Sequence, residues 1–287
     1  MSKFYCVVNS KSSNSDDKTT AGLLEKACHD RGIEFVNVDS ESFDFSDPPE
    51  LETGSALYRV SIDPASSMVF RLLVAENVAT VYQNLLVAMS QRITSALTHQ
   101  KFGLPVIPTI FDLPRDREKL KKSVDTLGGF PIIIKAVGGS HGVGVMRADS
   151  FESLASMADY LNGQTGRFIM RKYIDFEHHA RLNVLDGKVI DSVIYERPEN
   201  DFRTNVSGIR VRGHRFGDEI EDTAVRSVQA LCSDFGGVDI LIDKSGKGFL
   251  AEVNIPCFFP RTQMATGVDT AGMLVEHLVK KGIALAA

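Results

Sequence analysis

The sequence predicts a mixed α/β (α+β) protein with two or three subdomains, on three observations. Residues 4–38 read as strand, helix and strand; an apolar strand from residue 130 runs directly into a glycine-rich turn; and two apolar runs within residues 238–256 flank Ser245-Gly246 as a hairpin. A chain of 287 residues with 43% hydrophobic content has enough apolar side chain for more than one core. The net charge of -5 argues against general binding to nucleic acid or to an anionic membrane. Cys6, Cys28, Cys232 and Cys257 lack CxxC spacing, so neither a zinc site nor a disulfide framework is expected, and a reducing cytoplasm fits. The apolar run at residues 4–8 is too short for a signal peptide or a membrane span.

In chain order, residues 4–8 read as a buried strand, 19–30 as a helix closed near Gly32, and 33–38 as a second strand. Residues 39–50, rich in Ser, Asp and Pro, form a loop; a strand at 56–60 and a helix at 68–76 complete a first domain, 1–84. Residues 85–100 are helical until Phe102-Gly103-Leu104-Pro105 stops them. The apolar strand 130–137 is interrupted only by Lys135. Asp149 with Glu152 reads as a capping-box analogue for a helix ending near Asn162-Gly163. Residues 168–174 form a strand, and 181–185 with 189–195 a hairpin around Asp186-Gly187. From Gly217 a helix presents Ala224, Val225, Val228, Leu231, Cys232 and Phe235 on one face, with Gly236-Gly237 as its stop, and a last amphipathic helix covers 270–281. Domains are expected at 1–84, 85–172 and 173–287.

The chemistry is concentrated in the 238–256 hairpin. A two-residue loop pairs Lys244 with Lys247 and, counting outward, Asp239 with Glu252. Strand alternation then gathers Leu241, Leu250 and Asn254 on the face of those carboxylates, and Ile240, Ile242, Phe249, Ala251 and Val253 on the other. Facing carboxylates beside an amide oxygen suit a hard cation such as Mg²⁺, although an edge hairpin with merely exposed polar ends has the same sequence. The glycines of residues 138–145 let backbone N–H groups approach phosphate oxygens, yet this loop has neither the ending of a P-loop nor a third dinucleotide-fingerprint glycine. Lys135 inside an apolar strand requires a partner, for which a phosphate is natural. Residues 202–217 hold Arg203, Arg210, Arg212 and Arg215 without an acid, a solvated loop or a grip on a small anion. Arg203 and Asn205 project together on an extended segment. His178 and His179 point to opposite faces and do not form a metal pair, and no nucleophile triad is legible.

A lysine in a strand before a glycine-rich loop, then the arginine stretch, then GVDIL and LAEVN, resembles the ATP-grasp superfamily of carboxylate–amine ligases. The pieces LGGFPIIIKAVGGSHGVGV, FIMRKYI, DFRTN, GVDIL, LAEVN and ATGVDTAG cover about two thirds of the chain. They are most similar to the RimK-type branch, which appends glutamate to a protein terminus, and to its lysine-biosynthesis relatives. The resemblance implies an ATP-grasp fold with an N-terminal Rossmann-like pre-ATP-grasp domain, a central subdomain carrying the phosphate loop and a C-terminal one carrying the metal site. It implies that Lys135 holds the α/β phosphates and that Gly139, Ser140, His141, Gly142, Val143 and Gly144 form the phosphate loop. Arg171, Lys172, Tyr173 and Ile174 become the adenine hinge, and Thr204 lies at the phosphates with the catalytic pair Arg203 and Asn205. Asp239, Glu252 and Asn254 would bind two Mg²⁺, with Mn²⁺ as the alternative. Arg92 stands where relatives carry a nucleotide-binding lysine, Arg181 matches a family arginine, and the ribose acceptor is Asp175 or Glu177.

The implied reaction joins a carboxylate, from an amino acid, peptide or small acid, to an amine through an acyl phosphate, releasing ADP and phosphate. The partners are then small-molecule carboxylates and amines or a protein or peptide terminus, without nucleic acid or membrane, and a homo-oligomer is compatible. A small-molecule kinase or a non-catalytic nucleotide-binding module are the competing classes. The chain departs from the family at Arg171-Lys172, where relatives have Gln-Glu, at His179, and at Ile255-Pro256-Cys257-Phe258-Phe259-Pro260, which replaces Ser-Ser-Pro-Gly and implies a more apolar acceptor pocket. Arg59, Arg210, Arg212 and Arg261 are the candidates for a substrate carboxylate.

Overall fold

Residues 3–12, 15–89, 95–136, 144–164, 166–198, 200–203 and 210–287 are described by a computed structural model. Three sheets follow one another along the chain. The first is parallel, in the order β2-β1-β3, from β1 (Lys3–Val8), β2 (Glu34–Asp39) and β3 (Ala56–Arg59), with α1 (Ser15–Asp30) as the crossover and α2 (Pro64–Leu73) after it. After α3 (Leu85–Met89) and α4 (Ser95–Lys101), the second sheet is antiparallel in the order β4-β7-β5-β6. Its strands are β4 (Thr109–Ile110), β5 (Ile132–Ala136), β6 (Val145–Ala148) and β7 (Phe168–Lys172), with α5 (Arg117–Thr126) and α6 (Phe151–Leu161) packed on it.

The third sheet, β10-β9-β8-β11-β12, is also antiparallel. It comprises β8 (Phe176–Leu185), β9 (Lys188–Tyr195), β10 (Val211–Gly213), β11 (Phe235–Asp243) and β12 (Gly248–Asn254). The helix α7 (Asp218–Gln229) covers one face through Ile220, Ala224 and Val228, which meet Leu182, Ile240 and Leu250. Two last helices, α8 (Pro260–Thr266) and α9 (Thr270–Ala286), return to the start of the chain: Leu274 and Leu278 share a core with Phe4, Leu24, Tyr58 and Phe235.

Three expected boundaries shift for identifiable reasons. The helix expected at 68–76 begins at Pro64, because Asp63 accepts a bond from Ser66 N at 3.0 Å and proline suits a first helical turn. The cap of α6 is Ser150 with Ser153 as its reciprocal partner, not Asp149 with Glu152. Gly236-Gly237 do not stop α7, which ends at Gln229; both glycines lie in β11. The residues expected as one helix over 85–100 carry α3 and α4, with 90–94 outside the described residues. The helix α5 was not anticipated, although Asp116 as its cap and the buried Leu120 and Val124 at i, i+4 carry the signal.

The return of α9 depends on a close approach to the N-terminal unit. A Cβ on Gly282 would lie 2.1 Å from the backbone oxygen of Gly54, a group that cannot step aside. Gly282→Ala is therefore expected to destabilise the chain by about 1–3 kcal/mol of overpacking, against about 1 kcal/mol gained in helix propensity. A melting midpoint at or above that of the parent would contradict this packing.

Candidate active site

The carboxylates of β11 and β12 face each other as alternation predicts, but by a different route. Asp239 pairs with Glu252, yet the turn is one residue longer than expected, closed by Asp243 N bonding Lys247 O at 3.0 Å. A bulge between Asp239 and Ile240 restores the register, since Ile240 pairs with Leu250 and leaves Ala251 unopposed. Between the turn and the bulge this inverts the expected faces of β12. Leu250 packs with Ile240, Ile242 and α7, while Phe249 and Ala251 turn to the carboxylate side and meet Leu241, Ile107, Ile174 and Phe176. One face of the hairpin thus grades from an apolar floor near the tip to Asp239, Glu252 and Asn254 at its base.

Asp239 is 5% exposed and clamped by a guanidinium. Arg181, its partner across the β8–β11 register, donates from Nε to Oδ1 at 2.7 Å and from a terminal nitrogen to Oδ2 at 3.0 Å. His179, two residues away on the same face of β8, brings Nε2 to 3.3 Å from Oδ1. Burial by itself would raise the Asp239 carboxyl, but Arg181 and His179 hold it well below the usual carboxylate range. Burial likewise disfavours the Arg181 charge, and Asp239 more than offsets it, so the guanidinium stays protonated. Sequence reasoning placed Arg181 among the nucleotide contacts; its bonds here are to Asp239. The signal it missed was the alternation of His179 and Arg181 opposite Asp239.

Glu252 and Asn254 keep coordinating atoms in reserve. Lys135 Nζ reaches across from β5 to Glu252 Oε2 at 3.0 Å, so the lysine in its apolar strand is paired as expected, with a carboxylate. The Asn254 amide nitrogen donates to Asp239 Oδ2 at 3.0 Å, so its oxygen is the atom that can coordinate a cation. Among the described residues no three His, Cys, Asp or Glu side chains converge as a metal cage. Two carboxylates and one amide oxygen nevertheless fit a cation that takes its remaining ligands from water and phosphate, as Mg²⁺ does. Arg171 projects from β7 on the same face as Lys135 and donates to Ala251 O in the bulge at 3.2 Å. Burial lowers its pKa, and among the described residues no carboxylate is bonded to it.

The other expected site residues divide into those seen elsewhere and those not described. Tyr173 lies under the Arg147 guanidinium at 4.6 Å and accepts from Arg197, Ile174 is buried in the apolar floor, and the backbone N of Lys172 donates to Pro108 O. Asp175 is exposed and within 3.2 Å of Lys244, and Glu177 is exposed as well. Arg203 is engaged by Asp201 through a forked pair at 2.7–3.1 Å, and Asp201 raises its pKa. Gly144 closes the glycine-rich loop: its oxygen accepts from Ala136 N at 2.9 Å, and its φ of 78° and a Cβ position 2.8 Å from Ala136 Cβ require glycine. Arg92, Gly139, Ser140, His141, Gly142, Val143, Thr204 and Asn205 lie outside the described residues.

Two antiparallel sheets joined across a cleft by Lys135–Glu252 and Arg171–Ala251, behind a parallel N-terminal sheet, define an ATP-grasp fold. Solved structures carry the same architecture. The ATP-grasp ligase PsnB, complexed with a phosphomimetic variant of its minimal precursor, Mg and ADP, superposes with a TM-score of 0.73 over 98% of each chain at 18% identity. D-alanine–D-alanine ligase from Bacillus anthracis, complexed with ATP, gives 0.71 over 99% of this chain and 98% of its own, at 15% identity. The chain belongs to the RimK-like ATP-grasp family, whose model matches residues 88–278. A probable alpha-L-glutamate ligase from Methanococcoides burtonii is 28% identical over 189 residues, and the match spans 65% of this chain and 61% of that relative. No helix among the described residues is long and apolar enough to cross a membrane.

Proposed function

We propose that this protein is an ATP-dependent carboxylate–amine ligase that forms an amide or peptide bond through an acyl phosphate. The observation that carries the reading is the graded face of β11 and β12, where an apolar floor of Leu241, Phe249, Ile107 and Ile174 leads into Asp239, Glu252 and Asn254. An adenine ring suits the apolar end, with the hinge from Arg171 to Ile174 beside it, and the triphosphate suits the charged end. Lys135 would release Glu252 to take a phosphate oxygen, and Arg171 adds a second cation above the bulge. Asp239, Glu252 and Asn254 would hold Mg²⁺, one or two ions, whose chemistry is to offset phosphate charge. Arg203 with Thr204 and Asn205 would meet the transferred phosphoryl, and Asp175 or Glu177 the ribose.

A substrate carboxylate oxygen attacks the γ-phosphorus and ADP departs; the amine then attacks the acyl carbon and inorganic phosphate departs. Positioning and charge neutralisation carry such a transfer, so no protein nucleophile is required. Glutamate is the first acid or amine to try, because relatives of this chain are described as probable alpha-L-glutamate ligases.

The test is ADP and phosphate release with ATP, Mg²⁺ and paired amino acids, small acids and peptides. Release of both only when acid and amine are supplied together supports the ligase; ADP with a phosphorylated product and no phosphate indicates a kinase instead. Glu252→Gln is expected to cut release by on the order of 10²-fold or more while the protein folds normally. Its pair with Lys135 is 45% exposed on the glutamate side, and such pairs are worth about 0–1 kcal/mol. Wild-type turnover by this variant would remove Glu252 from the metal set.

A further inference from the structure

We propose that Arg59, at the carboxyl edge of the N-terminal parallel sheet, is a binding site for a carboxylate group of the substrate. Calling that ligand a substrate rests on the ligase reading above; the anion site itself rests on the geometry alone. Arg59 is the last residue of β3, and its guanidinium lies against α2, on the hydroxyl of Ser67 and over the Phe70 ring at 5.6 Å from the ring centre. No carboxylate among the described residues comes within ion-pair distance of it. Burial draws its pKa below the ordinary arginine value, and the nearby Arg71 charge lowers it further. Arg181, Lys281 and Arg31 also lose solvent, and each of these rests on a carboxylate, at 2.7, 2.6 and 2.8 Å.

Asp63 acts on Arg59 electrostatically but makes no ion pair with it, and one of its oxygens is taken by α2. Its Oδ1 caps α2 through Ser66 N at 3.0 Å. Burial would raise this carboxyl, yet bonds from Ser66, Ser61 and Asn9 hold it at about 2. A guanidinium left this way costs free energy unless an anion completes it.

The place matches the need. In the order β2-β1-β3 the chain leaves β1 toward one side and later returns to the other, so the loops after β1 and β3 diverge and open a crevice at their carboxyl ends. Arg59 and the loop residues Asn9, Ser61 and Asp63 border that crevice. The end of β3 is also fastened to the metal strand: Tyr58, whose side chain takes the opposite face, bonds the main-chain N and O of Cys257 at 3.2 and 3.4 Å. Cys257 lies three residues beyond Asn254. A carboxylate is favoured over a phosphate by charge, because a single guanidinium balances a monoanion and not a dianion, and the Asp63 charge close by repels a second negative charge. An acid whose one carboxylate is phosphorylated would keep its second on Arg59.

The experiment uses the full chain and four named anions, L-glutamate, glutarate, acetate and inorganic phosphate, titrated by thermal shift and calorimetry. The parent, Arg59→Met and Arg59→Lys are compared, with Arg71→Gln as the control. Glutamate or glutarate should raise the melting temperature of the parent and of Arg71→Gln, with affinity weakened at least tenfold in Arg59→Met and partly restored in Arg59→Lys. Ligand-free Arg59→Met should melt at or above the parent, because it removes an unpaired charge. Equal shifts in parent and Arg59→Met, no shift with any carboxylate, or a shift with phosphate alone each overturn the assignment. So does a ligand-free Arg59→Met that fails to fold or melts well below the parent, since the guanidinium would then be a brace for α2. Binding of ATP with Mg²⁺ is measured on the same proteins and should be unchanged in Arg59→Met. Its failure in the parent would refute the ligase and leave the anion site to be judged on the four acids.

Discussion

Replacing Asp239 with alanine is expected to cost the fold about 3–5 kcal/mol, because it strands the buried Arg181 guanidinium without its partner. In the sequence Asp239 and Glu252 are equivalent, two facing carboxylates suited to one cation. The two carboxylates differ in what they hold. Asp239 is 5% exposed and carries two charge-assisted bonds from Arg181, whereas Glu252 carries one from a lysine at a half-open cleft. Chemical denaturation separates them: the midpoint should fall steeply for Asp239→Ala and little for Glu252→Gln, with activity lost in both. Pairing Asp239→Ala with Arg181→Met should recover much of the lost stability, since the isolated charge goes with its partner. A single Asp239→Ala variant that unfolds with the parent would show the pair to be dispensable. Because the Asp239 pKa is lower folded than unfolded, its contribution is present above the ordinary carboxylate range and is lost as pH falls below it.

Stability should also fall by about 3 kcal/mol as pH rises from about 4 to about 6, at 1.36 kcal/mol per unit of pKa difference, through Asp191. Asp191 lies in β9, 5% exposed, bonded by the Thr270 hydroxyl at 2.5 Å, with no partner for Oδ1 among the described residues. Burial pushes its carboxyl up to about 6, and the nearby polar groups of Thr270, Thr262 and Asn183 offset only part of that. The folded protein therefore keeps the proton that the unfolded chain releases near 4. The stabilisation is full below that value, declines through the window and is gone above about 6. Asp191→Asn retains an acceptor for Thr270 and should flatten the profile and raise stability at neutral pH. Denaturation midpoints at pH 4, 5, 6 and 7 decide it; a parent profile that is flat or rising across that range would sink the idea.

Much of this molecule is legible one residue at a time. The βαβ start, the interrupted apolar strand around Lys135 and the facing of Asp239 with Glu252 all follow from periodicities of 3.6 and 2, which local sterics impose on any chain. Lys135 demanded a partner before any fold was known, since an ammonium in an apolar strand is costly alone. What periodicity did not reach were single-residue departures and long-range partners. The Ala251 bulge compensates a turn one residue longer than expected, so the Asp239–Glu252 pairing came out right while the Lys244–Lys247 pairing and the faces of Phe249, Leu250 and Ala251 did not. No local signal distinguishes the two arrangements; the choice is made by which side chains α7 can bury.

The chemical character of the β11–β12 hairpin, an oxygen-rich pair beside an amide, was thus determined by the sequence alone. Which groups complete it was decided by tertiary structure, Arg181 on Asp239 across 58 positions and Lys135 on Glu252 across 117, as was the setting of Arg59, with no carboxylate among the described residues paired to it. Alternation and propensity act between neighbours in the chain, whereas the energy of a buried charge depends on whatever the fold brings beside it.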